Sequence, residues 1–473
     1  MAETLQRKHL RYSKHVIISV FFMLYSYQGF LFGLNEAIKL LLKEKGAADS
    51  DLSLQALTTS PFYLKFIAAP FLDVYYSKRI GKRMTWILPI SLIASAFFFL
   101  FADKMEHWLI EKNYESLALL TFIQFVFIAI QDVAIDGMVC EVLNPEDFEK
   151  GSLMQTLGQT VGPFLCCNLF ILLISPKFAE KQFDMKNSLI TMPDFIRFLG
   201  IMVLASSAFS LAVVNEKGTN IVVIDEPISE KGQAPVQVEL AVEVQEPSFF
   251  ELLSLIPKMF VHPNVRYLLI HPAIFELFLI FTDSNCFLKL LEKGFDLLYL
   301  NEFEMYFFVL DLIILAILGK MNILDNLWKY YSFSVDALYI NAVGFWLAFY
   351  FLPIEYTKTW IVYLVVYKLV RYLSSVKFTA ASVYTQYVAD RSCGGSFLTI
   401  VYSAHNFCRL NIPALIFRVT KFTGFMPLVI CLGIYDLIFR VSGVRNRWVR
   451  YFEKAQPHQF ALKYDHSSKE KGQ

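Results

Sequence analysis

Charge is what this chain has least of. Asp, Glu, Lys and Arg make up only 18% of its 473 residues, where a soluble domain carries about 25%. Their balance is a formal net charge of +1, which argues against a nucleic-acid partner. The seven cysteines (Cys140, Cys166, Cys167, Cys286, Cys393, Cys408, Cys431) form no C-x-x-C pair and no Cys/His metal spacing. Neither a disulfide framework nor a zinc site is indicated, and no cofactor is expected. The apolar run after the basic start (Arg7, Lys8, Arg11, Lys14) lacks a small-residue cleavage site. It reads as a retained first span, not a signal peptide. No sorting signal stands out.

What fills the chain instead is hydrocarbon: 56% hydrophobic and 16% aromatic residues, with a mean hydropathy of +0.47. That exceeds the roughly 45–50% apolar content of soluble proteins and predicts an all-α, multi-pass protein whose partner is the lipid bilayer. A span needs about 20 apolar residues, and about twelve fit. In the first half they are residues 15–35, 53–75, 84–101, 117–143, 153–174 and 195–214. In the second half they are 267–291, 303–318, 333–352, 360–387, 396–417 and 424–439. The expected division is a six-helix bundle in 1–214, a linker in 215–263, a second six-helix bundle in 264–441 and a tail in 442–473. The layout resembles the major facilitator fold. The linker is acidic; its end, Pro247 to Met259, reads either as a short amphipathic helix on a membrane surface or as flexible linker like the rest. Lys and Arg crowd the N-terminal tail, the loop at 78–83 and the C-terminal tail, so both termini are expected in the cytosol.

The chain is organised around QDVAIDG, 131–137. Asp132 and Asp136 are four apart and share a helix face. A carboxylate at mid-membrane costs roughly 2.5–3.5 kcal/mol even on lenient scales. Two of them imply either interhelical salt bridges or a polar pathway. Lys65 lies at a similar depth, some 12–15 Å from the same face at about 1.5 Å per residue. It is the predicted counter-ion, with a substrate phosphate as the rival partner. Pro61 and Pro70 flank it, so a kinked or locally opened helix is expected there.

Asp73 followed by Lys78, Arg79, Gly81, Lys82 and Arg83 resembles the loop signature of major facilitators, whose acid and bases form gating contacts. The alternative is an ordinary positive-inside loop. Gly158 and Gly162 are spaced for close helix packing; Gln155 and Gln159 share a face and are candidates to line a cavity. In the second half Lys368 and Arg371 are three apart, with Lys377 farther on, and His405, Asn406 and Arg409 fall near mid-span. Arg presents a planar fork of donors to phosphate and Lys a point charge. These cations suit an anionic ligand, or else pair internally with Asp283, Asp311 or Asp336.

The stretches SPFYLKFIAAPFLD (60–73), GKRMTWILP (81–89), QDVAIDG and GQTVGPFLCCNLF (158–170) resemble the acetyl-coenzyme A transporter family of the endoplasmic reticulum. FLKLLEKG (287–294) and GGSFLTIVYSAHN (394–406) are looser matches. The resemblance implies a carrier that imports acetyl-CoA from cytosol to reticulum lumen by alternating access, supporting lumenal acetylation. Carried over by position, Lys65, Asp73, Gln131, Asp132, Asp136, Gln159, Asn406, Asn411 and Pro413 match family positions. Arg409 and Leu410 stand where the family has small residues. The expected substrate-binding set is Lys65, Gln131, Asp132, Asp136, Gln159, Lys368, Arg371, Asn406 and Arg409; the gating set is Asp73, Lys78, Arg79, Lys82 and Arg83. Three alternatives stay open at this point. One is another anionic thiol cargo such as oxidised glutathione, or a peptidoglycan fragment. A second is a membrane acyltransferase using His405 as base, and a third is a non-transporting receptor. A homodimer is compatible with the sequence.

Overall fold

The computed structural model describes residues 14–47, 49–143, 148–214, 249–318, 326–389, 394–412, 415, 419 and 423–460. Outside them lie the tail at 1–13, most of the linker (215–248), Pro413 and the end at 461–473.

Among the described residues the regular elements are helices. Helix α1 (Lys14–Glu44) runs unbroken for 31 residues. The expected second span is instead a broken one: α2 (Asp49–Leu57), α3 (Ser60–Leu64), a 3₁₀ turn at Lys65–Ile67 and α4 (Ala69–Val74). Pro61 and Pro70 each sit in the first turn of a new helix, where a missing N–H costs nothing. The kink falls on Lys65. Then come α5 (Met84–Ile110), α6 (Tyr114–Val142) and α7 (Phe148–Pro163). After Pro163 the chain widens into a π turn, Phe164–Leu169, before α8 (Phe170–Leu173). The short α9 (Pro176–Phe183) and α10 (Met192–Val213) close the first half.

The second half begins with the surface helix expected at the linker's end, α11 (Phe249–Val261). Next are α12 (Pro263–Phe275) and α13 (Leu277–Lys293), bent by 51°. They are followed by α14 (Leu297–Leu318) and α15 (Leu327–Phe351). The expected tenth span divides at Tyr372 into α16 (Thr357–Arg371) and α17 (Leu373–Val388). Helix α18 (Gly394–Asn406) passes into a second π turn, Phe407–Asn411. Finally α19 (Phe425–Val441) and α20 (Val444–Lys454) meet at 58°.

By length and composition, five helices among the described residues suffice to cross a membrane, or up to seven if each bent pair is one span. The expectation of about twelve is not met on this measure. Breaks account for part of the shortfall: the Lys65 kink and the Tyr372 division each cut an apolar run into short pieces.

Burial sorts the chain into two lobes. One continuous cluster, from Met259 to Phe460, is built from the second half. The first half buries two clusters, around Phe98, Phe125 and Phe170 and around Phe21, Met84 and Met138. Glycine brings α1 and α7 together: a Cβ on Gly162 would stand 2.3 Å from the Gly29 carbonyl carbon, and one on Gly158 2.7 Å from the Ser26 nitrogen. The packing role expected of these glycines is the one they fill.

Candidate functional site

The first site grows out of the Lys65 kink. With the 3₁₀ turn aimed at α6, the ammonium reaches both acids of QDVAIDG: it hydrogen-bonds Asp132 and lies 3.2 Å from Asp136 Oδ2. The side chains are 1–2% exposed. Helix α1 supplies the remaining donors. Gln28 Nε2 donates to Asp132, and the Tyr25 hydroxyl donates to Asp136 Oδ1 at 2.9 Å. Gln159 Nε2, from α7, donates to Gln28 Oε1 at 3.3 Å. Phe62 and Tyr402 lie over the ammonium, with ring centroids at 5.0 and 5.9 Å. Tyr402 belongs to α18, so this knot lies against the seam between the lobes.

Two hollows of about 10 Å³ each lie within the second lobe, and neither is lined by a knot residue. The ammonium and both carboxylates are sealed, at most 3% exposed. The physical reason is electrostatic: a buried ammonium or carboxylate is tolerated only when paired and hydrogen-bonded, and here each is. Gln131 departs from the site. It is one residue from Asp132, about 100° around the helix, and donates to Ser91 Oγ on α5 at 2.9 Å.

The second site lies where the Asp73 loop meets α6. Arg83, 2% exposed, bonds Asp73 at 2.7 Å and Glu141 at 2.6 Å. It reaches Glu141 by crossing Gly137, where a Cβ would be 2.3 Å from the guanidinium carbon. The glycine of QDVAIDG is thus the groove for an arginine. Burial disfavours the Arg83 charge, but Glu141 and Asp73 outweigh it and hold the pKa above its ordinary value. Asp73 Oδ2 also accepts from Ser396 Oγ of α18 at 2.7 Å, a contact between lobes. Lys82 reaches Glu141 at 3.6 Å. Lys78 and Arg79 are exposed, and no ion pair reaches them among the described residues.

More contacts cross the seam on this face. Ser152 Oγ is 3.2 Å from Ser382 Oγ, which is 2.9 Å from the Tyr402 hydroxyl; Thr156 and Thr379 are 3.4 Å apart. On the opposite face Lys43 meets Glu292 at 3.2 Å and Lys181 meets Glu302 at 2.8 Å. Between them Phe164, in the first π turn, stacks on Phe308 of α14 with centroids 3.5 Å apart. Both faces are bridged at once.

The second-lobe cations do not act as one group. Lys368 pairs with Glu304 at 2.5 Å and Asp311 at 3.8 Å on α14, whereas Arg371 leans on Asp283 of α13 at 3.5 Å. Three residues of helix are enough to send them to different neighbours. Lys377 is held by Glu276 at 2.5 Å, and Glu276 also accepts from the Tyr331 hydroxyl at 2.5 Å. Asp336, the third expected acid, pairs with Arg440 and Arg445 instead. Arg371 and Asp283 keep side-chain exposures of 34% and 37%. Arg409, on the π turn after α18, is exposed and within electrostatic range of Asp283, Arg371 and Glu36 of α1. Beside it Phe407 meets Tyr63 of α3, with centroids 5.4 Å apart. Asn406, half-buried, ends α18.

His405 has a structural occupation. Pro272 has no N–H for the Leu268 carbonyl four residues back. His271 Nδ1 (2.9 Å) and His405 Nε2 (3.0 Å) hydrogen-bond that carbonyl in its place.

Tyr25, Gln28, Glu141 and Ser396 were not among the expected site residues. Gln28 alone offered a signal, an uncharged polar residue amid an apolar run; the others take their partners from distant segments.

A family model described as "Acetyl-coenzyme A transporter 1" matches residues 17–300. An uncharacterized protein of Schizosaccharomyces pombe is 30% identical over 181 residues, 37% of this chain and 35% of that protein. An uncharacterized membrane protein of Saccharomyces cerevisiae is 27% identical over 304 residues, 58% and 54% of the two chains. This chain therefore spans about a third and about half the length of these relatives. Among solved structures, the human organic anion transporter MFSD10 (TETRAN) is similar at a TM-score of 0.54 and 13% identity, over 91% of this chain and 99% of that one. The Major Facilitator Superfamily transporter FucP, in the outward conformation, is similar at 0.54 and 11%, over 93% and 99%. These likenesses establish the major facilitator fold. With the family match covering residues 17–300 of 473, the chain belongs to the acetyl-coenzyme A transporter family.

Proposed function

We propose that the protein carries acetyl-CoA from the cytosol into the lumen of the endoplasmic reticulum by alternating access, feeding lumenal acetylation. The bundles 1–214 and 264–441 rock about their seam, 215–263 links them, and both termini and the Asp73 loop face the cytosol. The observation that carries the cargo is the family match over 17–300. Arg371 and Arg409 support it. Both are accessible, one leans on a single carboxylate at 3.5 Å, and a coenzyme A phosphate offers a guanidinium a better acceptor pair. Arg371 exchanges Asp283 for phosphate as the cargo enters, and Arg409 adds the second charge.

Lys65 is not a phosphate ligand in this reading. Its knot holds two carboxylates and one ammonium, so one bound proton makes it neutral. The first lobe thereby carries the coupling and the second lobe the cargo. The Asp73–Ser396 contact closes the cytosolic side, and the Lys43–Glu292 and Lys181–Glu302 pairs close the lumenal side.

The test is uptake of labelled acetyl-CoA into proteoliposomes, with and without coenzyme A inside and with oxidised glutathione as competitor. Saturable uptake above protein-free vesicles, inhibited by coenzyme A and not by glutathione, is expected. Folded protein that leaves acetyl-CoA outside removes the cargo assignment, and glutathione competition moves it to that ligand.

A further inference from the structure

Helix α11 plays no part in the cargo reading, yet its surface is divided in an informative way. It is 13 residues long, and the single residue His262 joins it to α12, the first arm of a bent span. At about 100° per residue, its wall falls into three sectors. Met259, 0% exposed, and Ile256 pack into the second-lobe core. Phe250 (78% exposed), Leu253, Phe260 and Val261 (75%) form an adjoining stripe that none of the described residues covers. Ser254 and Lys258, both exposed, lie on the third sector with Glu251.

A helix in water needs two sectors, an apolar one inward and a polar one outward. The third, apolar and left open by the described residues, calls for a non-aqueous neighbour. The one-residue joint to α12 keeps α11 at bilayer height, and the polar sector beside the stripe suits a headgroup layer. Exposed Arg266, on the first turn of α12, puts another cation at the same level. We propose that α11 lies in the headgroup–acyl boundary of the leaflet on the Asp73 side. There Phe250, Leu253, Phe260 and Val261 sit in phospholipid acyl chains, with Lys258 among the headgroups. Phe249 meets Tyr75, with ring centroids 6.4 Å apart, so the lipid-lodged helix touches the chain two residues beyond Asp73. The inference needs the chain to be a membrane protein and is independent of its cargo.

The test is photocrosslinking of the full-length protein in phosphatidylcholine–phosphatidylserine nanodiscs. A benzophenone amino acid replaces Phe250, Phe260, Ser254 or Lys258 in turn, and adducts are read by mass spectrometry. Lipid adducts at 250 and 260, several-fold above those at 254 and 258, are expected. Equal yields at all four positions, or adducts to a second polypeptide at 250 and 260, would overturn the assignment. Unchanged thermal melting of each variant confirms that the folded protein was probed.

Discussion

In the first lobe Lys65 is enclosed by two carboxylates, which in turn accept from Gln28 and Tyr25, and nothing in the knot is more than 3% exposed. In the second lobe Arg371 has one acid at 3.5 Å and is a third exposed, and Arg409 is more open still. The same contrast holds for packing. First-lobe glycines bring backbones into contact at Gly158 and Gly162, whereas a Cβ on Gly344 of α15 would meet nothing nearer than the Tyr363 hydroxyl at 3.6 Å. Charges that complete one another make a lobe rigid. Charges left partly unmet leave it ready to accept a ligand.

Removing Lys65 should break this contrast most severely. Lys65→Ala strands two buried carboxylates, and breaking a buried pair costs about 3–5 kcal/mol. Thermal unfolding in detergent should show the loss. The triple variant Lys65→Met, Asp132→Asn, Asp136→Asn should regain much of that stability while failing to respond to a pH gradient. A triple variant that still accelerates with the gradient would take coupling away from the knot.

Next in size is Gly162→Ala, which forces α1 and α7 apart at a cost of about 1–3 kcal/mol. Gly344→Ala should change the melting midpoint little. Equal effects at the two glycines would erase the packing difference between lobes.

Arg371 sharpens the comparison from the other side. Its ion pair is long, 3.5 Å, and only partly buried, so Arg371→Ala should lower the melting midpoint far less than Lys65→Ala does. Acetyl-CoA uptake should nevertheless show a KM raised about tenfold, the equivalent of about 1.4 kcal/mol. Asp283→Asn should lower the KM, since phosphate no longer competes with a carboxylate. Opposite signs for these two variants are the signature of an exchange of partners.

The smallest effects belong to the Asp73 loop, the proposed gate. Ser396→Ala removes one hydrogen bond to Asp73, about 0.5–1.5 kcal/mol, and should raise the rate at which cytosolic cysteine probes reach the seam. Lys78→Ala and Arg79→Ala should fall within about 0.5 kcal/mol of the parent.

Much of the first lobe was legible because its chemistry is local in sequence. Asp132 and Asp136 share a face by helical spacing, Pro61 and Pro70 announce the break that turns Lys65 inward, and Gly158 and Gly162 mark a close approach. The second lobe was harder to read. Lys368 and Arg371 look like partners at i and i+3, but which acid each one finds depends on how α13 and α14 pack beside them. Gln131 was placed in the site by its match to a family position, and helix rotation takes its side chain to Ser91. Length and composition recover five to seven of the expected spans among the described residues, because interruptions such as the one at Tyr372, which leave no trace in an apolar run, divide a span into short pieces. Gly137 was legible only as part of a motif; the need for it comes from Arg83, 54 positions earlier in the chain.

The rod formed by α7, the π turn and α8 is pinned to the second lobe near one tip through Ser152 and Thr156, and farther along through Phe164. In the alternating-access cycle proposed above, this rod would work like the beam of a balance. Raising one pan would press the other down, and a leak would require both pins to lift together. The aromatic pin, which has no direction-dependent hydrogen bond to lose, would be the fulcrum, and the serine–threonine pin the one remade at each swing.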